Sequence, residues 1–330
     1  MHWSRLVDLP IALGLTLLTP LFGARVAEAI TVTAVPLATL GVLIAVMTAV
    51  IRRLFPSPAA PVIAALLIVV SGPITMQMFP TRIDHHGWQM VLAAVTLAAL
   101  LDTRPLRSGL IAGVALAAWL NISTEGLPFA VAATAAVAIR WLIAPKGEGL
   151  RLAGLLGGLA VASALLFAGT HPSSRWAEPW CDAIAPAHLL TFALAGVGAM
   201  LLAQTRREWS VPARVASLAG LGLVCGAAFL AVAPQCAASP FDRLDPTVHA
   251  LWYSKILEGL PIWRQTPMVA INLVFFPMVG LTGCVVAWRT APDAAARREW
   301  LTIAILLAGS LLLAMLLRRS AGVAHVMAVP

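Results

Sequence analysis

Apolar runs of about 17–25 residues recur along the whole of this 330-residue chain, the length of helix that crosses the hydrocarbon core of a bilayer. That leaves few architectures open. In lipid every backbone N–H and C=O must be satisfied within the protein, which restricts spanning structure to helices and closed barrels. The alternating, turn-rich strand pattern of a barrel is absent from the sequence. Only 11% of residues are charged and mean hydropathy is +0.91, where a soluble domain is about a quarter charged. The fold class that follows is all-α, a polytopic transmembrane bundle. About ten spans are expected, near 28–50, 58–79, 87–101, 108–121, 126–144, 150–169, 186–203, 214–233, 267–288 and 299–317. Residues 10–23 are too short for a standard span and carry Pro10 and Pro20 at their ends, so they read as a re-entrant or interfacial helix. The chain thus divides into an outer segment and non-spanning helix (1–27), the spans (28–317) and a tail (318–330), all in one transmembrane domain.

The loops set an orientation. Alternate loops hold Arg52, Arg53, Arg104, Arg107, Arg140, Lys146, Arg151, Arg206, Arg207, Arg214, Arg289, Arg297 and Arg298, which are 13 of the 22 basic residues. An excess of Lys and Arg marks cytoplasmic loops. The net charge of +8 is therefore a topology signal, and with no basic–aromatic stripe it does not indicate a nucleic-acid partner. No Gly-rich phosphate loop follows a strand, which argues against a cytosolic nucleotide-driven machine. In this orientation all seven histidines lie at or beyond the outer surface. So do Cys181 and Cys236, which can pair there or stay free. Cys225 and Cys284 fall within spans, as small buried residues do.

Against that background the stretch Arg82-Ile83-Asp84-His85-His86-Gly87-Trp88-Gln89 stands out. It concentrates ionisable groups where a membrane helix surfaces, and such groups are costly and mark function. Asp84 with His85 can bind a divalent metal, Mg or Mn, or a carboxylate there can act as a base oriented by its neighbour. Successive helical residues point about 100° apart, so His85 and His86 converge on one ion only if the segment is irregular. Gln89 lies one turn beyond His85, on the same helical face. The alternative is a polar loop in which a histidine is an interfacial hydrogen bonder.

Three further groups carry candidate chemistry. Trp3, Arg5 and Asp8 form an outer segment in which Arg5 and Asp8 share a helical face, either as a surface ion pair or as part of an outer cavity. Glu125, in Asn121-Ile122-Ser123-Thr124-Glu125-Gly126-Leu127-Pro128, can coordinate a metal, hold a sugar hydroxyl, or cap the next helix. Arg318 and Arg319 break the positive-inside rule at the outer end of the last span, which suits a phosphate partner, with anionic lipid contact or a slipped topology as the alternatives. A mixed charged and aromatic loop from Phe241 to Trp263 suits a carbohydrate or a lipid surface.

The order Trp-Ser-Arg, Asp-Leu-Pro, then Arg-Ile-Asp-His-His-Gly-x-Gln two spans later, then Glu-x-x-Pro after two more, resembles bacterial integral-membrane glycosyltransferases of the GT-C superfamily. These include oligosaccharyltransferase catalytic subunits and lipid-A aminoarabinose transferases. The resemblance covers most of the chain in architecture and residues 2–10, 82–89 and about 120–128 in motif. It implies transfer of a sugar from a polyprenyl-phosphate-linked donor to a glycan, lipid or protein acceptor, on the periplasmic face of a bacterial inner membrane and in contact with membrane lipids. By the same resemblance Asp84, His85, His86 and Glu125 are catalytic and Asp84 and His85 hold the metal. Trp3, Arg5, Asp8, Gln89, Arg318 and Arg319 bind substrate, with an arginine on the donor phosphate. The first helix and acidic motif of the family are missing from the sequence, so the expectation is an N-terminally truncated member. A multi-span transporter or lipid-handling permease, or an inactive truncated homologue, is the competing reading. Transporters place polar residues near the bilayer midplane on repeated, broken helices, whereas here they fall at span ends and no repeat is evident.

Overall fold

The computed structural model describes residues 5–204, 209–237, 245–251 and 253–330. Trp3 lies outside the described residues. Among these residues all regular structure is helical. Eight helices are long and apolar enough to cross a membrane: α2 (Ala24–Leu54), α6 (Pro105–Ile122), α7 (Leu127–Ile143, entered through the turn Thr124–Gly126), α8 (Pro145–Thr170), α9 (Pro186–Ala203), α10 (Val211–Val232), α12 (Pro267–Thr290) and α13 (Ala294–Leu316). Shorter helices complete the order: α1 (Leu9–Phe22), α3 (Ala59–Val70), α4 (Gly72–Thr75), α5 (His86–Leu100), α11 (Pro246–Leu251) and α14 (Ala321–Met327).

Helix α1 has 14 residues, about 21 Å at 1.5 Å per residue, which is less than a bilayer core. It ends at Gly23, whose φ of 76° favours glycine, and the chain turns at once into α2. Gly14 faces Thr31 so closely that a Cβ would lie 2.8 Å from its side chain. The segment therefore doubles back on α2, in keeping with a non-spanning helix.

The span expected at 58–79 is not continuous. Helix α3 ends at Val70, Ser71 is extended, and α4 restarts at Gly72-Pro73. Pro73 has no N–H to give the Val69 carbonyl one turn back, so the helix cannot continue its bonding through this point. Residues 318–330, expected as a tail, fold as a 3-10 turn (Arg318–Ser320) and α14, which is buried against α4, α5, α12 and α13. His325 on α14 is buried, and its Nδ1 lies 2.9 Å from Ser71 Oγ. His188 is likewise a core residue, with Nδ1 accepting from the Ala185 N–H at 3.3 Å at the start of α9. Both imidazoles are packed inside the protein rather than exposed to solvent.

The tightest packing is between α6 and α8. A Cβ at Gly109 or Gly113 would run into the α8 backbone at Arg151 or Leu155. Small residues let membrane helices approach in this way, in the absence of a hydrophobic drive between them.

The Arg-rich loops meet at one end of the bundle. Glu148 is buried and accepts from Arg140 Nη2 at 2.8 Å and Arg151 Nε at 2.9 Å. The same arginines donate to the Leu100 carbonyl at 3.1 and 3.3 Å, closing the C-terminus of α5. Arg53 pairs with Glu299 at 2.6 Å, joining two more of these loops. At the other end, Cys181 and Cys236 are disulfide-bonded. That bond ties the loop after α8 to the loop after α10.

Candidate functional site

The 82–89 stretch is an irregular turn leading into α5. Asp84 Oδ1 accepts from the His86 backbone N–H at 3.0 Å and so closes the first turn of the helix. Its Oδ2 accepts from Arg82 Nε at 2.7 Å. Arg82 also reaches Glu258 at 3.5 Å, bringing in the loop before α12. Because the helix begins only at His86, the two imidazoles are not splayed by a regular turn. Their ring centres lie 4.3 Å apart.

Glu125 comes to them from between α6 and α7. Ser123 Oγ accepts from the Glu125 N–H at 3.4 Å. The next residue must be glycine, because a Cβ at Gly126 would stand 2.7–2.8 Å from the indole of Trp119. Trp119 is itself buried and packs on Phe129. This seating turns the carboxylate inward, where Oε1 pairs with Arg319 Nη2.

His85, His86 and Glu125 each offer one ligand atom, and these atoms all lie within 4.8 Å of one another. Burial holds His85 well below its usual pKa of 6.5, at about 4, and the neighbouring imidazole pushes the same way. It is therefore neutral at ordinary pH and able to donate a lone pair. Glu125 Oε2 is buried with no hydrogen-bond partner within the protein, and Gln89 Nε2 and Arg319 Nε are in the same condition. Buried polar atoms are seldom left unpaired, so these orphans make the cluster a place built to receive something. Gln89 Oε1 lies 3.4 Å from His86 Nδ1, close enough to orient that ring.

The sequence-expected residues fall into two groups. Asp84, His85, His86, Gln89, Glu125 and Arg319 gather around one point at the end of the bundle opposite the Glu148 cluster. Beside the expected metal pair of Asp84 with His85, the structure groups His85, His86 and Glu125 as possible ligands. Both oxygens of Asp84 are engaged, one on Arg82 and one on the His86 amide, so Asp84 shapes the turn. Arg318 points elsewhere, with Nη1 donating to Gln265 Oε1 at 3.3 Å. Arg5 and Asp8 pair at 3.9 Å with side chains 70% and 57% exposed, on a turn (Leu6–Asp8) that packs against α6. They are not part of the histidine–carboxylate group. Glu258 lies in the mixed charged and aromatic loop from Phe241 to Trp263. Nothing local in the sequence signals its approach to Arg82, 176 residues away.

No protein-family model matches the chain, and no curated protein matches it significantly. Solved structures do. The archaeal oligosaccharyltransferase AglB from Archaeoglobus fulgidus, in complex with an inhibitory peptide and a dolichol-phosphate, aligns over all of this chain and 41% of its own, at TM-score 0.69 and 18% identity. The A. fulgidus oligosaccharyltransferase tethered to an acceptor peptide containing the NVT sequon aligns over all of this chain and 40% of its own, at TM-score 0.71 and 18% identity. The same enzyme in complex with Zn and sulfate gives TM-score 0.62 at 17% identity. The chain thus spans about two fifths of the length of these structures, and what it shares with them is the fold.

Proposed function

We propose that this chain carries the outer-face site of a membrane glycosyltransferase that uses a polyprenyl-phosphate-linked sugar donor. The observation that carries the reading is the convergence of His85, His86, Glu125 and Arg319 at one end of a helical membrane bundle, from three separate parts of the sequence. Support comes from the fold, shared with oligosaccharyltransferases solved with a dolichol-phosphate and with an acceptor peptide.

The donor set fits a divalent metal. Two neutral imidazoles and a carboxylate with one free buried oxygen are the ligands that borderline transition metals take, so Mn or Zn suits the set better than Mg, which prefers oxygen. One fold neighbour was solved with Zn and sulfate. When bound, such an ion would neutralise charge on the departing phosphate. The chain's own residues do the rest. Arg319 binds the lipid phosphate, with its Nε free of protein partners. Asp84 and Gln89 hold the two imidazoles in register. In transfer, the acceptor's nucleophilic atom forms a bond to the anomeric carbon of the sugar while the bond from that carbon to the phosphate oxygen breaks. The electron pair leaves on the lipid phosphate, and the acceptor's proton passes to the carboxylate of Glu258. In this reading the site faces the periplasmic side of a bacterial inner membrane, and the excess of Lys and Arg in the opposite loops supports that orientation. The acceptor is a glycan, a lipid or a protein. A transporter would gather these groups at the bilayer midplane, not at one end of the bundle.

The test is binding of a polyprenyl phosphate to the detergent-solubilised chain, followed by native mass spectrometry. Arg319→Ala should weaken retention of that lipid at least tenfold, while Arg264→Ala should not. Equal retention by the Arg319 variant removes the phosphate-binding role.

A further inference from the structure

We infer that Pro36 and Thr81 are positioning residues for the Arg82–His86 turn, linked through a hydrogen bond from the Thr81 N–H to the Val32 carbonyl that is open only because Pro36 withholds the helical donor from that carbonyl. The inference rests on the reading of that turn as part of the transfer site. Helix α2 runs unbroken from Ala24 to Leu54 with Pro36 inside it. Proline has no N–H, so the carbonyl one turn earlier, on Val32, loses its helical donor. That carbonyl accepts instead from the backbone N–H of Thr81 at 2.9 Å.

Thr81 accepts an unfavourable conformation to make the contact. Its φ is 73°, the only positive φ on a non-glycine among the described residues, and a β-branched side chain makes that a genuine outlier. Such a conformation persists only where the surroundings over-determine it, and outliers of this kind cluster at functional sites. Three residues on, Asp84 begins its contacts with Arg82 and with the His86 amide.

The rest of the turn also rests on the Pro36 region. A cavity of about 10 Å³ is lined by Pro36, Thr39, Gln77, Asp84, Gly87 and Trp88, and Gln77 Oε1 beside it is buried with no protein partner. That volume suits a single bridging water. Thr39 Cγ2 stands 3.4 Å from where a Gly87 Cβ would lie, so the first turn of α5 lies directly on α2. Helix α2 thus offers a carbonyl, a small polar cavity and a close-packed methyl to one side of the turn. His85 and His86 leave from it toward Glu125.

Pro36→Ala gives α2 its own donor for the Val32 carbonyl and should release Thr81. Alanine is favoured over proline inside a helix, so the helix itself is not threatened. The experiment compares wild type, Pro36→Ala, Thr81→Gly and Pro20→Ala by amide hydrogen exchange across 79–89 in metal-free detergent samples, then by titration with Mn(II) and Zn(II). In Pro36→Ala the Thr81 and His86 amides should exchange at least tenfold faster, and metal affinity should fall about tenfold. Thr81→Gly keeps the N–H and relieves the backbone, so it should retain both properties. Pro20→Ala, an interior proline of α1 that tethers no site loop, should also retain both. Wild-type exchange in Pro36→Ala overturns the tether. Faster exchange with unchanged metal affinity overturns the positioning role. If the wild type takes up neither metal, the metal reading of the site fails on its own, and exchange at the His86 amide still decides whether the tether positions the turn.

Discussion

Replacing Glu125 with Gln separates a metal site from a simple ion pair. The side chain keeps its size and one oxygen acceptor but loses its charge. Without metal, the change costs only the pairing with Arg319. Both side chains of that pair are 21% exposed, so solvent screens it and the loss should be about 1 kcal/mol. With metal, the site loses its one anionic ligand among the three donors that lie within 4.8 Å of one another. A carboxylate about 4 Å from a unit positive charge contributes about 4 kcal/mol at an effective dielectric of about 20. A divalent ion raises that figure and desolvation takes much of it back, which leaves an expected loss of at least two orders of magnitude in affinity. Thermal or chemical unfolding of the detergent-solubilised chain, with and without Mn(II) or Zn(II), reads this directly. At a metal concentration of about 100 times the wild-type dissociation constant, the wild type gains about 2.7 kcal/mol. Glu125→Gln, with affinity about 100-fold weaker, gains only about 0.4 kcal/mol at the same concentration. If the variant gains as much as the wild type, Glu125 is merely the partner of Arg319 and the metal assignment is wrong.

Two other perturbations probe the framework and the site. Glu148→Gln leaves the buried Arg140 and Arg151 guanidiniums without the carboxylate they share, which should cost about 3–5 kcal/mol in unfolding experiments; wild-type stability would mean that water already screens the cluster. The pH response of His85 follows from its depressed pKa of about 4. The folded form resists protonation more than the unfolded form does, so stability is full above pH 6.5 and falls as pH drops from 6.5 to about 4, by up to about 3 kcal/mol. His85→Gln should flatten that slope in melts taken across the range. The His85 contribution to metal affinity should fall only about 1.1-fold between pH 7 and 5, where an ordinary histidine would lose roughly 25-fold; a drop in the wild type that His85→Gln removes would show that His85 is solvated.

Much of the fold was legible because bilayer thickness imposes one length on every spanning helix. The eight long helices stand close to their expected positions, and Arg140 and Arg151 from the expected basic loops meet on Glu148. The break at Ser71 was signalled by Gly72-Pro73 but hidden inside a uniformly apolar run. The burial of α14 was not legible, since a short apolar stretch after Arg318-Arg319 carries no mark of what it packs against. The candidate site was half legible. Asp84, His85 and His86 announced themselves as charge in hydrocarbon, and Glu125 and Arg319 as separate outliers. That Glu125 meets Arg319 across 194 residues, and that Asp84 is consumed in shaping the turn, are decided by helix packing. The hydrogen bond from Thr81 to the Val32 carbonyl was unreadable for the same reason, because an interior proline shows that a carbonyl is freed but not which donor finds it.

The most direct test of the central claim is turnover of donor by the reconstituted chain. A panel of radiolabelled polyprenyl-phosphate-linked and polyprenyl-pyrophosphate-linked sugars is incubated with the protein and Mn(II), and release of labelled sugar from lipid is measured, to water or to acceptors supplied as hydroxyl and peptide mixtures. The account predicts metal-dependent release from at least one donor, reduced about 100-fold or more in Glu125→Gln and Asp84→Asn. Release that is indifferent to metal and to both substitutions, or no release from any donor by a chain that inserts and folds normally, would contradict it.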